Sequence, residues 1–331
     1  MQPDQPLLTI AIPTYNREQY LKTLLYLLEP QVLDEPRLEL IISDNASTDG
    51  TESMVQAFSV KNAEFRYIKN KANLGMDGNF IQCFEQARGK YVWVLGDDDI
   101  VAPDAIRKIM AWLESGEYDL IYISSFPFEG AYDFCRTAER KEPSRITNVR
   151  NFSRQINVFF TFISGNIVNK NRVLAGPPLD FSPLIGTSLV QMSWMYAALN
   201  GYACGLYVHE RLVGARINNT GGYKLLQTFG PTLKRITENL LDDKALQCLI
   251  INGTIMRFWP SMLISYKVSL SAFEYETSPQ EVLGLTFPTN FRYWIFIYPI
   301  IIGPLLFDKA WFRFIRAINM LDKLLGYPLM R

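Results

Sequence analysis

Three consecutive carboxylates follow an apolar run of the chain: Asp97, Asp98 and Asp99. A strand such as 91–95, rich in Val, Tyr and Trp, would deliver them to the carboxyl edge of a sheet, where open α/β proteins bind ligands. Close anions repel one another unless a cation joins them, and Mg²⁺ and Mn²⁺ prefer such oxygens. The run therefore predicts either a metal that carries a diphosphate or a solvated acidic turn before a helix beginning at Pro103.

The elements that would position these carboxylates alternate between strand and helix up to about residue 125. Short apolar runs predict strands at 7–12, 38–42, 65–68, 91–95 and 120–124. Apolar residues at helical spacing predict helices at 17–28, 47–58, 79–88 and 103–114. Strands that alternate with helices of this length predict an α/β fold, with a mostly parallel sheet flanked by helices and joined by right-handed crossovers.

Polar loops follow the first four predicted strands. Their ranges are 13–17, 43–51, 70–79 and 96–99. Because parallel strands end at the same edge of a sheet, these loops should form one crevice of backbone amides, amide side chains and carboxylates. Asp44 could accept a hydrogen bond from a pyrimidine or guanine ring NH, and a metal at the aspartates could bridge phosphates. Each loop alone is ordinary turn sequence, but their joint occurrence favours a nucleotide site.

Beyond residue 125 the pattern becomes less regular. The charged stretch 126–150 predicts an exposed loop. The segments 152–162 and 188–199 predict helices, and 202–213 predicts one or two strands.

A different pattern occupies the C-terminal region. The uncharged stretch 293–307 has fifteen residues and two prolines, whereas a membrane-spanning helix needs roughly 20 apolar residues. The next segment mixes apolar residues with basic ones: Trp311, Phe312, Phe314, Ile315, Ile318, Leu321 and Leu324 with Lys309, Arg313, Arg316 and Lys323. This amphipathic pattern predicts a helical, membrane-proximal extension that lies on an anionic membrane surface; packing on the main domain or on another subunit is the alternative.

The composition limits the classes of partner and compartment. The 331 residues contain 33 Lys and Arg and 33 Asp and Glu, so the net charge offers no argument for binding nucleic acid. The first six residues lack the basic start and apolar stretch of a signal peptide. The four cysteines are far apart in apolar surroundings and predict reduced, buried thiols of a cytosolic protein: Cys83, Cys135, Cys204 and Cys248.

Four motifs together resemble a known family. They are 13–16 (Pro-Thr-Tyr-Asn), 44–51 (Asp-Asn-Ala-Ser-Thr-Asp-Gly-Thr), 73–75 (Asn-Leu-Gly) and 95–103, which contains the aspartate run. In order and spacing they resemble the nucleotide-sugar half of family 2 glycosyltransferases, which have the GT-A fold, and the resemblance is specific over about 6–125. It implies a nucleotide-sugar half at 1–125, an acceptor half at 126–250 and a membrane-associating helical region at 251–331.

The resemblance also implies roles for individual residues. The nucleotide-sugar site would comprise Pro13, Thr14, Tyr15, Arg17, Asp44, Asn73, Gly75 and Asp97, with Asp44 reading the base. Mn²⁺ or Mg²⁺ would be held on the diphosphate by Asp98, which aligns with the family's most regular metal-binding aspartate, together with Asp97 or Asp99. Gly96 stands where many members have the first aspartate of this motif.

The acceptor half departs from the family pattern. Many members carry a Glu-Asp pair at the start of a helix, and its Asp is the general base. The corresponding stretch 186–194 contains no carboxylate. Asp180 is the nearest acid upstream and becomes the candidate base, although a mechanism without a protein base in this place stays open. His209, the only histidine, is a candidate metal or phosphate ligand or a structural residue.

Arg216 begins a segment that resembles the basic, flexible loop by which such enzymes fold over the diphosphate. A guanidinium forks onto phosphate oxygens, so Arg216 is the candidate for stabilising the leaving group.

The resemblance implies transfer of a sugar from a nucleoside-diphosphate sugar to a saccharide acceptor in bacterial O-antigen or capsule synthesis. The acceptor would be polyprenyl-diphosphate-linked, and the protein would lie in the cytoplasm, peripheral on the inner face of the cytoplasmic membrane. The Gly-Asp-Asp-Asp variant at 96–99 and the sequence Gly-Thr-Ser at 186–188 look most like O-antigen deoxysugar transferases of the abequosyltransferase type.

The motifs also allow other classes of protein. A non-catalytic nucleotide-binding scaffold on the membrane surface is one, because the acceptor half lacks its acid. A metal-dependent phosphatase is another, but its nucleophilic aspartate would stand where this chain has Ser47. A Rossmann dehydrogenase would need a Gly-x-Gly-x-x-Gly loop after the first strand, and a nucleotidyltransferase a glycine-rich basic loop there. Neither loop is present.

Overall fold

The structure is a computed structural model that describes residues 5–33, 35–58, 64–130, 141–217, 222–268, 277–326 and 328–330. Its residues group into two compact units. The first comprises Met1–Phe152 with Phe160–Ile217, and the second comprises Ser153–Phe159 with Asn218–Arg331.

The strands of the described chain form one sheet, which belongs to the first unit. They are β1 (Leu8–Thr14), β2 (Leu38–Asp44), β3 (Glu64–Lys69), β4 (Tyr91–Val94), β5 (Ile100–Val101), β6 (Leu120–Phe128), β7 (Ser144–Ile146), β8 (Asn166–Asn169) and β9 (Gly205–Arg216). Their order is β3-β2-β1-β4-β8-β6-β9-β5, and β7 also pairs with β9. The first four strands run parallel to one another, which puts their carboxyl ends on one edge as predicted.

The second half of the sheet mixes strand directions. Strand β8 inserts between β4 and β6 and runs antiparallel to both, whereas β6 and β9 are parallel. Most paired residues are still in parallel ladders, so the predicted mostly parallel sheet is confirmed. The four-residue β8 was not predicted, because a short buried strand that both begins and ends with Asn has no alternating pattern.

Helices of the first unit pack their apolar faces on this sheet. They are α1 (Glu18–Val32), α2 (Thr51–Ala57), α3 (Gly75–Gln86), α4 (Ala105–Ser115), α5 (Val149–Ile156, which crosses the unit boundary), α6 (Lys170–Leu174) and α7 (Met192–Asn200). Helix α1 buries Leu21, Leu24, Leu25 and Leu28, which recur at helical spacing on one face. These leucines join the core that also contains the apolar residues of β1 and β2.

Some predicted boundaries were wrong. The stretch 126–150 is not all loop, because β6 continues to Phe128 and β7 pairs with β9. Residues 131–140 lie outside the described residues. The third helix begins at Gly75 rather than at Asn79, and α7 begins at Met192 rather than at Ser188. At both places polar residues can belong either to the first turn of the helix or to the turn that precedes it, so the sequence pattern does not define the first helical residue.

The second unit is helical, as predicted for the C-terminal region. It contains α8 (Leu225–Gln227), α9 (Leu233–Leu240), α10 (Lys244–Gly253), α11 (Trp259–Lys267), α12 (Pro279–Thr286), α13 (Tyr298–Ile302) and α14 (Leu305–Leu324). Within the described part of the chain, no helix has both the length and the hydropathy that crossing a bilayer requires.

The prediction of buried cysteines holds for only part of the set. Cys83 and Cys204 are buried, but Cys248 is exposed. Helix α10 turns Leu246, Leu249 and Ile250 to the core, and Cys248 lies on the opposite side of the helical wheel. Cys135 lies outside the described residues.

Candidate active site

The ends of the central strands meet through hydrogen bonds. Thr14, the last residue of β1, is paired with Asp44, the last residue of β2. The Asn45 amide donates to the Thr14 carbonyl at 2.9 Å, and the Thr14 hydroxyl donates to Oδ2 of Asp97 at 2.8 Å. The structure therefore joins three of the predicted loops at one edge of the sheet.

Each aspartate of the run has a different partner. Asp97 is buried, and its Oδ1 accepts a hydrogen bond from Nη1 of Arg17 at 3.0 Å. The same Arg17 nitrogen lies 3.6 Å from Oδ2 of Asp98, whose side chain is 15% exposed, the most accessible of the three. Asp99 accepts a hydrogen bond from the backbone amide of Arg216 at 3.1 Å. The run is thus an ordered site rather than a solvated turn.

The electrostatics of the run fit a site that needs more positive charge. Burial raises the pKa of Asp97 to about 6, although Arg17 opposes the shift. Burial and the neighbouring Asp98 charge raise the pKa of Asp99 to about 7. Carboxylates gathered in a poorly solvated place favour protonation unless a cation stabilises the charged form. The donor set therefore suits a hard divalent cation in composition and charge.

Gly96 explains why the chain departs from the family pattern at this point. A Cβ atom there would lie 3.1 Å from Oδ2 of Asp99 and 3.3 Å from both Oδ1 of Asp98 and Oγ of Ser164. The Gly96 amide also donates to Oγ of Ser164 at 2.9 Å. A side chain at 96 would therefore require these neighbours to shift by a few tenths of an ångström.

Arg216 and Arg17 share one aromatic ring. Arg216 ends β9, and its Nε donates to the Asp98 carbonyl at 3.1 Å. Its guanidinium carbon lies 4.8 Å from the ring centroid of Tyr20 and 4.6 Å from that of Phe128, whereas the Arg17 guanidinium carbon lies 6.0 Å from the Tyr20 centroid. Cations over aromatic faces are held electrostatically. Sequence reasoning missed Tyr20, although its place three residues after Arg17 on a helix would have indicated the contact.

The loop before α3 is held by a residue to which the sequence analysis gave no role. Asn45 donates from Nδ2 to Oδ1 of Asn73 at 2.8 Å and to the Gly75 carbonyl at 3.1 Å, and it accepts from the Leu74 amide at 2.8 Å. Gly75 has φ of +74°, a left-handed conformation that favours glycine. The structure therefore brings Asn73 and Gly75 to the end of β2, as the resemblance implied.

Asp44 is more enclosed than a base-reading residue would suggest. Its Oδ1 accepts a hydrogen bond from the Ser47 amide at 2.8 Å, and its Oδ2 accepts one from the Tyr67 hydroxyl at 2.5 Å. Burial, with this hydrogen bond, raises the pKa of Tyr67. Each carboxylate oxygen keeps a second lone pair for a ligand. The base-reading role of Asp44 stays a prediction.

The other predicted nucleotide residues lie beside this edge. Pro13 is buried within β1, where it is paired with Ser43. The Tyr15 side chain is 42% exposed just beyond the strand, which leaves its ring accessible to a ligand.

Asp77, in the first turn of α3, binds the segment before α7. Its Oδ2 accepts a hydrogen bond from the Ser188 amide at 3.0 Å and its Oδ1 accepts one from the Val190 amide at 3.4 Å. Ser188 has φ of +60° and Gly186 has φ of +81°, so the segment is a tight turn. Burial raises the pKa of Asp77 despite these backbone hydrogen bonds. The stretch that lacks an acid of its own is thus bound to a carboxylate from the donor half.

Two predicted residues have their described contacts elsewhere. Asp180 is exposed, and its Oδ1 accepts a hydrogen bond from the Ser182 amide at 2.9 Å. His209 Nε2 lies 2.8 Å from Oγ of Ser144, and its ring centroid lies 4.8 Å from that of Tyr207, with the two ring planes tilted by 53°. The roles of Asp180 as base and of His209 as ligand stay predictions. In the described ranges, no group of three or more His, Cys, Asp and Glu side chains is arranged to hold a metal ion.

Comparison with known proteins decides the family. A family model described as glycosyl transferase family 2 matches residues 9–174, which contain β1 to β4 and the aspartate run. The chain belongs to glycosyl transferase family 2. The predicted family is thereby confirmed.

This family 2 glycosyltransferase is also similar in sequence to individual relatives. The chain is 34% identical over 234 residues to the abequosyltransferase RfbV of Salmonella typhimurium, which covers 64% of this chain and 67% of that protein. It is 32% identical over 112 residues to the GalNAc(5)-diNAcBac-PP-undecaprenol beta-1,3-glucosyltransferase of Campylobacter jejuni, covering 34% of this chain and 36% of that one. The predicted resemblance to the abequosyltransferase type is therefore confirmed.

The fold also matches solved structures. The crystal structure of S. aureus TarS superposes with a TM-score of 0.63 over 92% of this chain and 53% of that one, at 17% sequence identity. Its fragment 1-349 superposes with a TM-score of 0.56 over 85% of this chain and 83% of that one, at 16% identity. These likenesses confirm the predicted GT-A-like fold.

The Asp77 contacts generate a test of how the segment before α7 is held. Replacing Asp77→Ala leaves the Ser188 and Val190 amides without their acceptor, and we expect the free energy of unfolding to fall by roughly 1–3 kcal/mol. Urea denaturation measures this loss, and hydrogen exchange should show faster exchange at 186–190. The matched control Asp180→Ala removes an exposed carboxylate that also accepts one backbone amide, and it should change both measurements less. Equal effects of the two substitutions would show that Asp77 does not hold this segment.

Proposed function

We propose that this family 2 glycosyltransferase transfers a sugar from a nucleoside-diphosphate sugar to a saccharide acceptor in bacterial surface polysaccharide synthesis. The observation that carries the proposal is the convergence of Thr14, Arg17 and Arg216 on the aspartate run. The similarity to an abequosyltransferase over 64% of the chain supports a deoxyhexosyl or hexosyl donor. A crystal structure of the TarS fragment, which shares the fold, is a complex with UDP-GlcNAc.

The donor would bind across the ends of β1, β2 and β4. Tyr15 is exposed beside the end of β1, where its ring can pack against a nucleoside. Asp44 would read the base, and Asn73 and Gly75, held by Asn45, would close over the ribose or the sugar. Thr14, Arg17 and Asp97 would lie by the diphosphate.

Asp98, with Asp97 or Asp99, would hold Mn²⁺ or Mg²⁺. The composition and charge of these carboxylates suit such an ion. When bound, the cation supplies Lewis-acid neutralisation of the diphosphate.

The leaving group would be stabilised by fixed positive charge. The Arg216 guanidinium lies over the rings of Tyr20 and Phe128, and its Nε donates to the Asp98 carbonyl. Its terminal nitrogens can then donate to the departing nucleoside diphosphate as the acceptor hydroxyl attacks the sugar carbon. Such charge stabilisation, set in place before reaction, needs little covalent chemistry from the protein.

The acceptor side would be formed by the segment before α7. Gln191 is buried there, and its Nε2 donates to the Thr161 carbonyl at 2.8 Å, so it serves the fold rather than proton transfer. Asp180 is the proposed base, since it is the nearest acid upstream and its side chain is exposed to solvent.

We propose that the acceptor is linked to a polyprenyl diphosphate and that the second unit contacts the membrane at its cytoplasmic face. The Campylobacter relative is named for a PP-undecaprenol substrate. Helix α14 buries Asp308, Ile315 and Asp322 at seven-residue intervals. Lys267 fixes the start of the helix by donating to Asp308 and to the carbonyls of Ile300 and Gly303.

The outer face of α14 is apolar. Leu306, Phe314, Leu321 and Leu324 are exposed there, Leu306 by 84% and Leu324 by 74%. Helical spacing places Arg313, Arg316 and Lys323 along one border of this face. A basic border beside exposed Leu and Phe matches an anionic lipid surface in charge and hydrophobicity.

The metal site is tested by removing one charge. Asp98→Asn keeps the side-chain shape but loses the anion, so we expect Mn²⁺-dependent nucleotide affinity to fall by about a hundredfold with the fold intact. Isothermal titration with UDP, GDP, CDP and dTDP, with and without Mn²⁺, gives the affinity and identifies the nucleotide. The control Asp104→Asn changes an exposed aspartate with φ of +64°, a conformation that Asn tolerates. Unchanged affinity in Asp98→Asn would contradict the assignment.

Binding of the second unit to lipid is tested on the outer face of α14. The double substitution Phe314→Glu with Leu321→Glu should lower partitioning onto phosphatidylglycerol vesicles by about tenfold or more, because two apolar side chains are lost from the contact. Co-sedimentation measures the bound fraction, and phosphatidylcholine vesicles should bind the wild-type protein poorly. Leu285→Glu, on the exposed face of α12, is the matched control. Equal loss in the control, or no loss in the double variant, would rule out this face.

A non-catalytic scaffold is the second candidate, favoured by the absence of a carboxylate in 186–194. Once the nucleotide is known, the purified protein is incubated with the corresponding nucleotide sugars and Mn²⁺. A glycosyltransferase should release nucleoside diphosphate slowly by transfer to water, and Asp98→Asn should not. A nucleotide that binds with no release above the variant would favour the scaffold.

A further inference from the structure

We infer that Arg17 is an internal counter-ion of the metal site, which must leave Asp97 and Asp98 before a divalent cation binds well, so that the cation and the nucleoside diphosphate bind cooperatively. This inference rests on the proposed divalent cation at the aspartate run. It concerns the order and coupling of binding, which the proposed function leaves open.

The first ground is the place of the guanidinium. One nitrogen, Nη1, lies 3.0 Å from Oδ1 of Asp97 and 3.6 Å from Oδ2 of Asp98. The positive charge of Arg17 therefore faces the two carboxylates that a divalent cation would also use. A guanidinium stays charged at any physiological pH, so it cannot make room by losing a proton.

The second ground is electrostatic. A divalent cation on Asp97 or Asp98 would meet a fixed unit charge of the same sign within a few ångströms, in a place where water screens it weakly. It would also have to replace a hydrogen bond to a buried carboxylate. Both costs weaken binding of the cation alone.

The third ground is that Arg17 has another place to go. It lies at the N-terminus of α1, its side chain is 32% exposed, and the Tyr20 ring is within 6.0 Å of its guanidinium carbon. A diphosphate beside Asp98 would offer anionic oxygens to which the guanidinium could donate. Release of Arg17 from the carboxylates is then compensated only when the nucleotide is present.

Cooperativity follows from this exchange of partners. The nucleotide takes Arg17 and so raises the affinity for the cation, and by linkage the cation raises the affinity for the nucleotide by the same factor. Lys22, an exposed cation on the same helix, provides a comparison of equal charge change.

The test measures Mn²⁺ itself. Electron paramagnetic resonance of free Mn²⁺ gives its affinity for the wild-type protein, Arg17→Gln, Arg17→Lys and Lys22→Gln, each alone and with saturating UDP, GDP, CDP or dTDP. We expect Arg17→Gln to bind Mn²⁺ alone about tenfold more tightly than wild type, and to lose the increase that nucleotide causes. Arg17→Lys, which keeps the charge, and Lys22→Gln should both resemble wild type.

Each other outcome counts against the inference. The counter-ion role is overturned if Arg17→Gln without nucleotide binds Mn²⁺ no more tightly than wild type, while the Mn²⁺ affinities of Arg17→Lys and Lys22→Gln are unchanged. The coupling is overturned if no nucleotide changes the Mn²⁺ affinity of the wild-type protein. In both cases the proposed metal site survives if Asp98→Asn still weakens Mn²⁺ binding. Absence of Mn²⁺ binding to every variant, with or without nucleotide, overturns the metal site and the inference together.

Discussion

Three carboxylates at the end of a single buried strand impose the main constraint on this molecule. Anions in poorly solvated surroundings must be met by hydrogen-bond donors or cations. The chain meets them from distant places: Thr14 ends β1, Arg17 follows that strand, Ser164 precedes β8, and Arg216, which donates through its amide, ends β9. The order of the strands in the sheet brings these donors to one place.

The antiparallel insertion of β8 has a consequence for the site. Because β8 lies between β4 and β6, the turn that leads into it passes beside the aspartate run. Ser164 in that turn accepts from the Gly96 amide, while its own carbonyl accepts from the Trp93 indole. A purely parallel sheet would have had no turn at this place, since parallel strands are joined by longer crossovers.

The two parts of the first unit differ in how they keep the family pattern. Residues 9–103 have the motifs in order, and the structure brings Asn73, Gly75, Thr14 and the aspartates to one edge. The stretch 186–194 contains no carboxylate, and Asp77 of α3 binds the turn in that stretch. The family pattern thus accounts for the first 125 residues more fully than for those that follow.

The sequence by itself determined the alternation of strands and helices to residue 125, the parallel start of the sheet and the family, because these depend on local periodicity and on motifs at fixed spacing. It also identified the aspartates and Arg216 as neighbours of one site. Only the tertiary structure decided the partners: that Arg17 faces Asp97 and Asp98, that Tyr20 lies under two guanidinium groups, and that Asp77 holds 186–190. These contacts join residues up to 196 positions apart in the chain, and no local pattern encodes which distant groups meet once the sheet has formed.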